Sequence, residues 1–414
     1  MGKFKFVVLF LSIILIIIAL LYPILVYSDT PFIKKWRTIY IETAMTTFTH
    51  QWLATLFMPN YVIDEVMYQN KIQHEGQSNL ETDWDNKTLA SLDEEIIDIG
   101  DVNYNSNIIN NENFEDNETV ENIIIGDNED SFYRKYWELN SDSFQYFLDT
   151  HLELIEDGYE NIFIDNSDYK YNIKSIFGEK LYLLDCKNNL VIFEVKGDGF
   201  TGKLATIKDA SQVELVKSKS LKSHGTTLSE FYREYKPVLA MNCSGFGDYN
   251  GYGNGGHVIG SLIIDGKEYG NPNDDYFLFG QKYNNRFYVQ SYDNTDVSEF
   301  RWAAQFQPAL IINGEQVVSG SYGYGIQPRS AVGQTQNGEM LFLVIDGRQI
   351  GYSIGATVSD CAEILLQHKA YQAINLDGGS SALLWYNGKN ITRPSSTNNL
   401  GRYLPDCLIV KKAD

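Results

Sequence analysis

Between Met340 and Ser381 the sequence sets out a strand, a helix and a second strand, and each strand stops at Asp-Gly. Met340–Ile345 is a continuous apolar run, the pattern of a strand buried on both faces. It ends at Asp346-Gly347-Arg348. Val358, Cys361, Ile364, Leu365 and His368 then recur at helical spacing. Thr357 with Asp360 three residues on predicts a capping box, with Asp in place of the usual Glu or Gln. The second β-rich run, residues 372–376, stops at Asp377-Gly378-Gly379-Ser380-Ser381. This spacing predicts a crossover unit with parallel strands. Asp346 and Asp377 would then emerge at one carboxyl edge, where open α/β sheets bind ligands. Glycine admits close approach of backbone to a ligand, and short hydroxyls suit an oxygen-rich one. An isolated Asp-Gly-Gly is more often a plain turn. Two such strand ends beside Arg348 shift the weight towards a site. Paired carboxylates are the equipment for cleaving glycosidic bonds, and a guanidinium binds phosphate bidentately.

Further motifs occur in order upstream. They are Phe200-Thr201-Gly202-Lys203, Asn242-Cys243-Ser244-Gly245-Phe246, Gly253-Asn254-Gly255-Gly256, and Pro328-Arg329-Ser330-Ala331-Val332-Gly333. Together with the two Asp-Gly turns and Asn375, the chain resembles the phosphodiester glycosidases over roughly residues 195–412. The resemblance implies hydrolysis of glycosyl-1-phosphodiesters of N-acetylglucosamine type, on cell-envelope or extracellular glycans. It implies Asp377 as nucleophile or water-activating base, with Asp346 second. It implies Asn242, Gly245, Arg329, Arg348, Asn375, Gly378, Gly379, Ser380 and Ser381 as substrate-binding residues. Ser244 departs from the family's Gly, and its Cβ is expected to narrow the turn. His257, in a Gly-Gly-His loop, is a candidate proton shuttle that the family does not demand.

Phe6 to Tyr27 is 22 residues without a charge. As a helix it spans roughly 33 Å, about the thickness of a bilayer core. No Ala-x-Ala cleavage site follows, so the reading is a single-pass signal anchor over residues 1–35. The flanking charges do not set its orientation, and the resemblance implies an extracytoplasmic catalytic part. Residues 36–75 form a juxtamembrane helical segment ended in part by Pro59. Residues 76–131 hold 16 Asp or Glu, one Lys and 11 Asn, which is −15 of the chain's −21. Such a stretch cannot bury enough apolar surface to order itself and is expected to be a flexible tether. The acid excess argues against nucleic-acid binding. Residues 132–194 should be a small α+β accessory segment, with a helix over 140–156 closed by Gly158. Residues 195–414 are the catalytic domain.

The expected fold is α+β, a mixed, strand-rich sheet system with packed helices behind a transmembrane helix. Cys186, Cys243, Cys361 and Cys407 show no metal-ligand spacing, and one disulfide is compatible with an extracytoplasmic location. No cofactor is required. Two other classes stay open: a metal-assisted phosphodiesterase with Asp346 and Asp377 as divalent-metal ligands, and an envelope glycan-binding module. The sequence leaves the sugar, the metal and the oligomeric state open.

Overall fold

The computed structural model describes residues 3–47, 50–75, 77, 80–84, 129–247, 253–293, 295–396 and 401–413. Most of the acidic stretch expected to be a tether lies outside the described residues. The chain divides into two compact units: residues 1–81 together with 192–414, and residues 82–191.

Four helices open the first unit. They are α1 (Lys3–Tyr27), α2 (Pro31–Met45), α3 (Gln51–Phe57) and α4 (Asn60–Glu75). Helix α1 contains the one described segment long and apolar enough to cross a membrane. Pro31 starts α2, where a missing N–H costs nothing. Val26, at the end of α1, is buried in one cluster with Ile41, Ala44, Ala54, Val62 and Ile63. The juxtamembrane helical segment thus falls in three helices, in the same compact unit as residues 192–414.

The second unit holds α5 (Ser141–Leu148), β1 (Phe163–Asp165) and β2 (Lys180–Asp185), the strands paired antiparallel. Asn140 caps α5 by accepting from Ser143 N at 2.9 Å. Phe144, Phe147 and Leu148 are buried as the periodicity predicts. The helix stops at Leu148 rather than running to residue 156. Thr150 N and Oγ1 both turn back to Phe147 O, at 3.2 and 2.9 Å, and tighten the chain into a 3₁₀-like turn.

Returning to the first unit, the order is β3 (Leu190–Gly197), β4 (Phe200–Ile207), β5 (Val213–Lys217), α6 (Leu228–Tyr235) and β6 (Leu239–Asn242). Next come β7 (Gly260–Ile264), β8 (Lys267–Asn271), β9 (Phe277–Lys282), β10 (Phe287–Gln290) and β11 (Phe300–Phe306). The chain closes with β12 (Ala309–Ile312), β13 (Glu315–Gln316), β14 (Arg329–Thr335), β15 (Met340–Ile345), α7 (Val358–Gln367), β16 (Ala370–Leu376), β17 (Leu384–Tyr386), β18 (Lys389–Asn390) and β19 (Asp406–Val410). The central sheet runs β4-β15-β14-β16-β12-β13, beside sheets β10-β9-β11-β7-β8 and β18-β17-β6-β19-β5.

The α+β class holds, with one correction to the expected crossover. β15 and β16 do point the same way, but β14 lies between them and pairs antiparallel with both. The ladders of this core are thus antiparallel rather than mixed, because β14 supplies both neighbours with hydrogen-bond partners. The register sets Arg329 opposite Ile345 and Ser330 opposite Leu376. Asp346, Arg329 and Asp377 accordingly leave the sheet at one edge. Helix α7 starts on the predicted capping box: Thr357 Oγ1 accepts from Asp360 N at 3.1 Å, and Asp360 Oδ2 accepts from Thr357 N at 2.7 Å. Its Val358, Cys361, Ala362 and Leu365 are buried against Leu341, Leu343 and Ala373 of the sheet.

Candidate active site

At that sheet edge lies a crevice of ≈650 Å³. Asp377, Gly378, Gly379, Ser380, Ser381, Asn375, Arg329 and Arg348 line it, so the structure gathers eight of the expected site residues into one place. Asp377 is half-buried and is the one carboxylate among the described lining residues. Its backbone is fixed at two points: Asp377 N donates to Cys243 O at 3.2 Å, and Asp377 O accepts from Asn242 Nδ2 at 2.6 Å. Asn242 is fully buried beneath the crevice. Its Oδ1 accepts from Ser330 Oγ at 2.7 Å and from Leu383 N at 3.1 Å. Asn242 therefore ties three chain segments together under Asp377 instead of facing a ligand. Gly245 is also buried below the lining, with its carbonyl accepting from Ile259 N at 2.9 Å.

The three lining arginines differ in what holds them. Arg329 is buried; Nε donates to Ala356 O at 3.0 Å, and Nη2 to Tyr324 O at 2.9 Å and Gly325 O at 2.7 Å. Burial pushes its guanidinium down to about 10. Much of its fork thus braces the 324–325 turn. Arg348 is exposed at the crevice and sits in the left-handed region at φ +59°, a conformation that side chains other than glycine rarely hold without a constraint. Its Nε and Nη2 donate to Gln327 Oε1 at 3.1 and 2.7 Å. Partial desolvation lowers its guanidinium, and the Asp377 carboxylate opposes that shift. A Cβ on Gly379 would stand 3.1 Å from Arg348 Nη2, so glycine there leaves room for the guanidinium. Arg402 was not singled out in the sequence. It donates to Gly253 O at 3.0 Å and Ser380 Oγ at 3.4 Å, and its guanidinium lies over the Phe246 ring at 4.9 Å.

Asp346 is the principal departure. It does not line the crevice. It is buried, with Oδ1 accepting from Arg393 N at 2.8 Å and Oδ2 from Tyr352 OH at 2.8 Å. Burial pushes it up to about 6 against the pull of those bonds. The two strand ends share an edge, but this carboxylate pins the 352 and 393 segments together and the pair expected to face one ligand is not formed. Ser244 is buried too, with its N donating to Asp406 Oδ1 at 2.9 Å, so its Cβ does not narrow the crevice. His257 is exposed and outside the lining. All four cysteines are buried free thiols, and burial raises Cys243 well above its ordinary range, which makes it a poor nucleophile.

Among the described residues no three His, Cys, Asp or Glu side chains converge. One carboxylate among three guanidiniums is a donor set for an anion and does not fit a divalent cation. Asn375 adds neutral polarity: Nδ2 donates to Gln307 O at 2.9 Å, and Oδ1 is buried without a hydrogen-bond partner among the described residues. Other lining residues that the sequence gave no reason to group include Thr46, Thr47 and His50, from the connection between α2 and α3, with Phe306 and Tyr324.

A bovine N-acetylglucosamine-1-phosphodiester alpha-N-acetylglucosaminidase is 39% identical over 70 residues, which is 17% of this chain and 13% of that protein. The match thus spans about an eighth of the length of that curated relative. The zebrafish enzyme's catalytic domain, auto-inhibited by its pro-peptide, has a TM-score of 0.44 at 19% identity, over 54% of this chain and 83% of that one. A hypothetical protein from Synechocystis gives 0.42 at 14% identity, over 56% and 63%. Residues 235–411, which supply Asp377, Arg348 and Arg402 to the crevice, match the phosphodiester glycosidase family.

Proposed function

We propose that the domain hydrolyses glycosyl-1-phosphodiesters, of N-acetylglucosamine type, at the anomeric carbon. The observation that carries this is the single carboxylate beside three guanidiniums in one crevice. Water adds to C1, the C1–O bond breaks with its electron pair leaving on the phosphate monoester, and the proton the water sheds passes to solvent. The transition state has oxocarbenium character, which Asp377 stabilises electrostatically or traps. A phosphate monoester, with a second pKa near 6, leaves with little protonation, so the lack of a second carboxylate in the lining is no obstacle. Arg348 and Arg402 compensate its charge, Asn375 Oδ1 accepts from a sugar hydroxyl, and Ser380 meets sugar or phosphate oxygens. Helix α1 and the family context support an envelope or extracellular glycan as substrate, reached by a membrane-anchored enzyme.

The test is turnover of a sugar-1-phosphodiester by the full chain in oxygen-18 water. Label in the sugar's C1 oxygen is expected. Label in phosphate alone means P–O cleavage and replaces this reading, while tight glycan binding without turnover makes the protein a binding module.

A further inference from the structure

The helices before the acidic stretch reach the crevice, and the contact is specific. Thr43 of α2 accepts from Ile326 N through Oγ1 at 2.9 Å and from Gln327 Nε2 through its carbonyl at 3.2 Å. Gln327 Nε2 also reaches Thr46 Oγ1 at 3.3 Å. The approach is close enough to demand glycine: Gly325 has φ +58°, and a Cβ there would lie 2.4 Å from Thr43 N. Further along, Gln77 Nε2 donates to Val317 O at 3.0 Å, and Tyr322 OH to Gln73 O at 2.5 Å. Gln327 uses its other end on the active-site arginine, since Oε1 takes both Arg348 donors. One amide thus has its donors on α2 and its acceptor on Arg348.

We propose that Gln327 is a positioning residue that ties Arg348 to α2, so that the segment preceding the acidic stretch is a working part of the crevice. This rests on the hydrolase reading only for the role of Arg348 in charge compensation. A guanidinium held by one neutral oxygen keeps its full charge for a ligand, and the held geometry avoids ordering it at each binding event. Because Oε1 is anchored through a side chain that α2 also grips, displacement of α2 moves Arg348.

The test is a double-mutant cycle in the full chain, comparing Gln327→Met, Arg348→Met and both. The probe is a sugar-1-phosphate monoester, read as Kd, beside KM for the diester. Gln327→Met is expected to weaken the probe about tenfold alone and less than twofold in the Arg348→Met background. Thr46→Val should reproduce part of the loss. Equal effects in both backgrounds would mean that Gln327 acts only on stability and would overturn the proposal. A second readout needs no substrate: modification by phenylglyoxal, mapped by mass spectrometry, should quicken severalfold at Arg348 in Gln327→Met and stay unchanged at Arg402. An unchanged rate at Arg348 also overturns it. If the chain turns over no diester while Arg348 is released in this way, the hydrolase reading falls and the positioning role stands.

Discussion

Replacing Asp406 by Asn removes a buried charge and keeps its shape. Asp406 has no exposed surface; Oδ1 accepts from Ser244 N at 2.9 Å, and among the described residues Oδ2 has no hydrogen-bond partner. Burial pushes the carboxyl up to about 6 from an ordinary 3.8, with the Ser244 contacts pulling the other way. At 1.36 kcal/mol per unit, the charged form costs the folded state about 3 kcal/mol. A raised acid pKa means that the folded protein binds the extra proton, so stability falls as pH rises from about 4 to 6, and the cost is fully present above 6. Asn keeps the acceptor for Ser244 N and removes the charge that burial penalises. Asp406→Asn should therefore melt above the parent at pH 7.5, by about 5–10 °C for a unit of this size. The gap should close towards pH 4.5. Asp346 is raised similarly but is common to both proteins and drops out of the difference. Thermal melts of the two full-length proteins by circular dichroism across that range supply the assay. A variant several degrees less stable than the parent at pH 7.5 would refute the reasoning, because it would show that the carboxylate is compensated where it lies.

Other expectations concern the crevice and the chain path. Asp377→Asn should lower kcat by on the order of a hundredfold or more with KM little changed, provided the protein melts like the parent; near-normal turnover removes Asp377 from the chemistry. Arg329→Lys loses the fork that serves three carbonyls and should appear as a lost melting temperature worth about 1–3 kcal/mol, whereas Arg348→Lys should appear as a raised KM at unchanged stability. Proteolysis within residues 85–128 should leave the N-terminal piece bound, because residues 1–81 pack with 192–414. The two pieces should co-elute in detergent and separate only on denaturing gels; ready separation would contradict the packing.

The part of this protein that could be read in advance is the part written in local pattern. The capping box at Thr357, both apolar strands and the clustering of residues 375–381 follow from periodicity and turn chemistry. The failures share one cause, which is partners distant in sequence. β14 separates two strands that the crossover spacing makes neighbours, and nothing near Met340 announces it. Asp346 reads as a ligand-facing carboxylate until Arg393 and Tyr352 take both of its oxygens. Arg402 lies in no motif and gains meaning only from Ser380 and Phe246. Nothing near Gly325 announces its close neighbour Thr43, which lies 283 positions from Ile326.

That separation also orders events in time. Synthesis proceeds at about 5–20 residues per second, so roughly 14–57 s pass between the appearance of Thr43 and that of Ile326. Throughout this interval α2 exists without the turn that later accepts its grip, and residues 82–191 emerge and can fold before the first unit is complete. The nascent chain thus carries an unmated helix face behind an apolar segment for most of its synthesis. Any product cut short before residue 326 keeps that face bare.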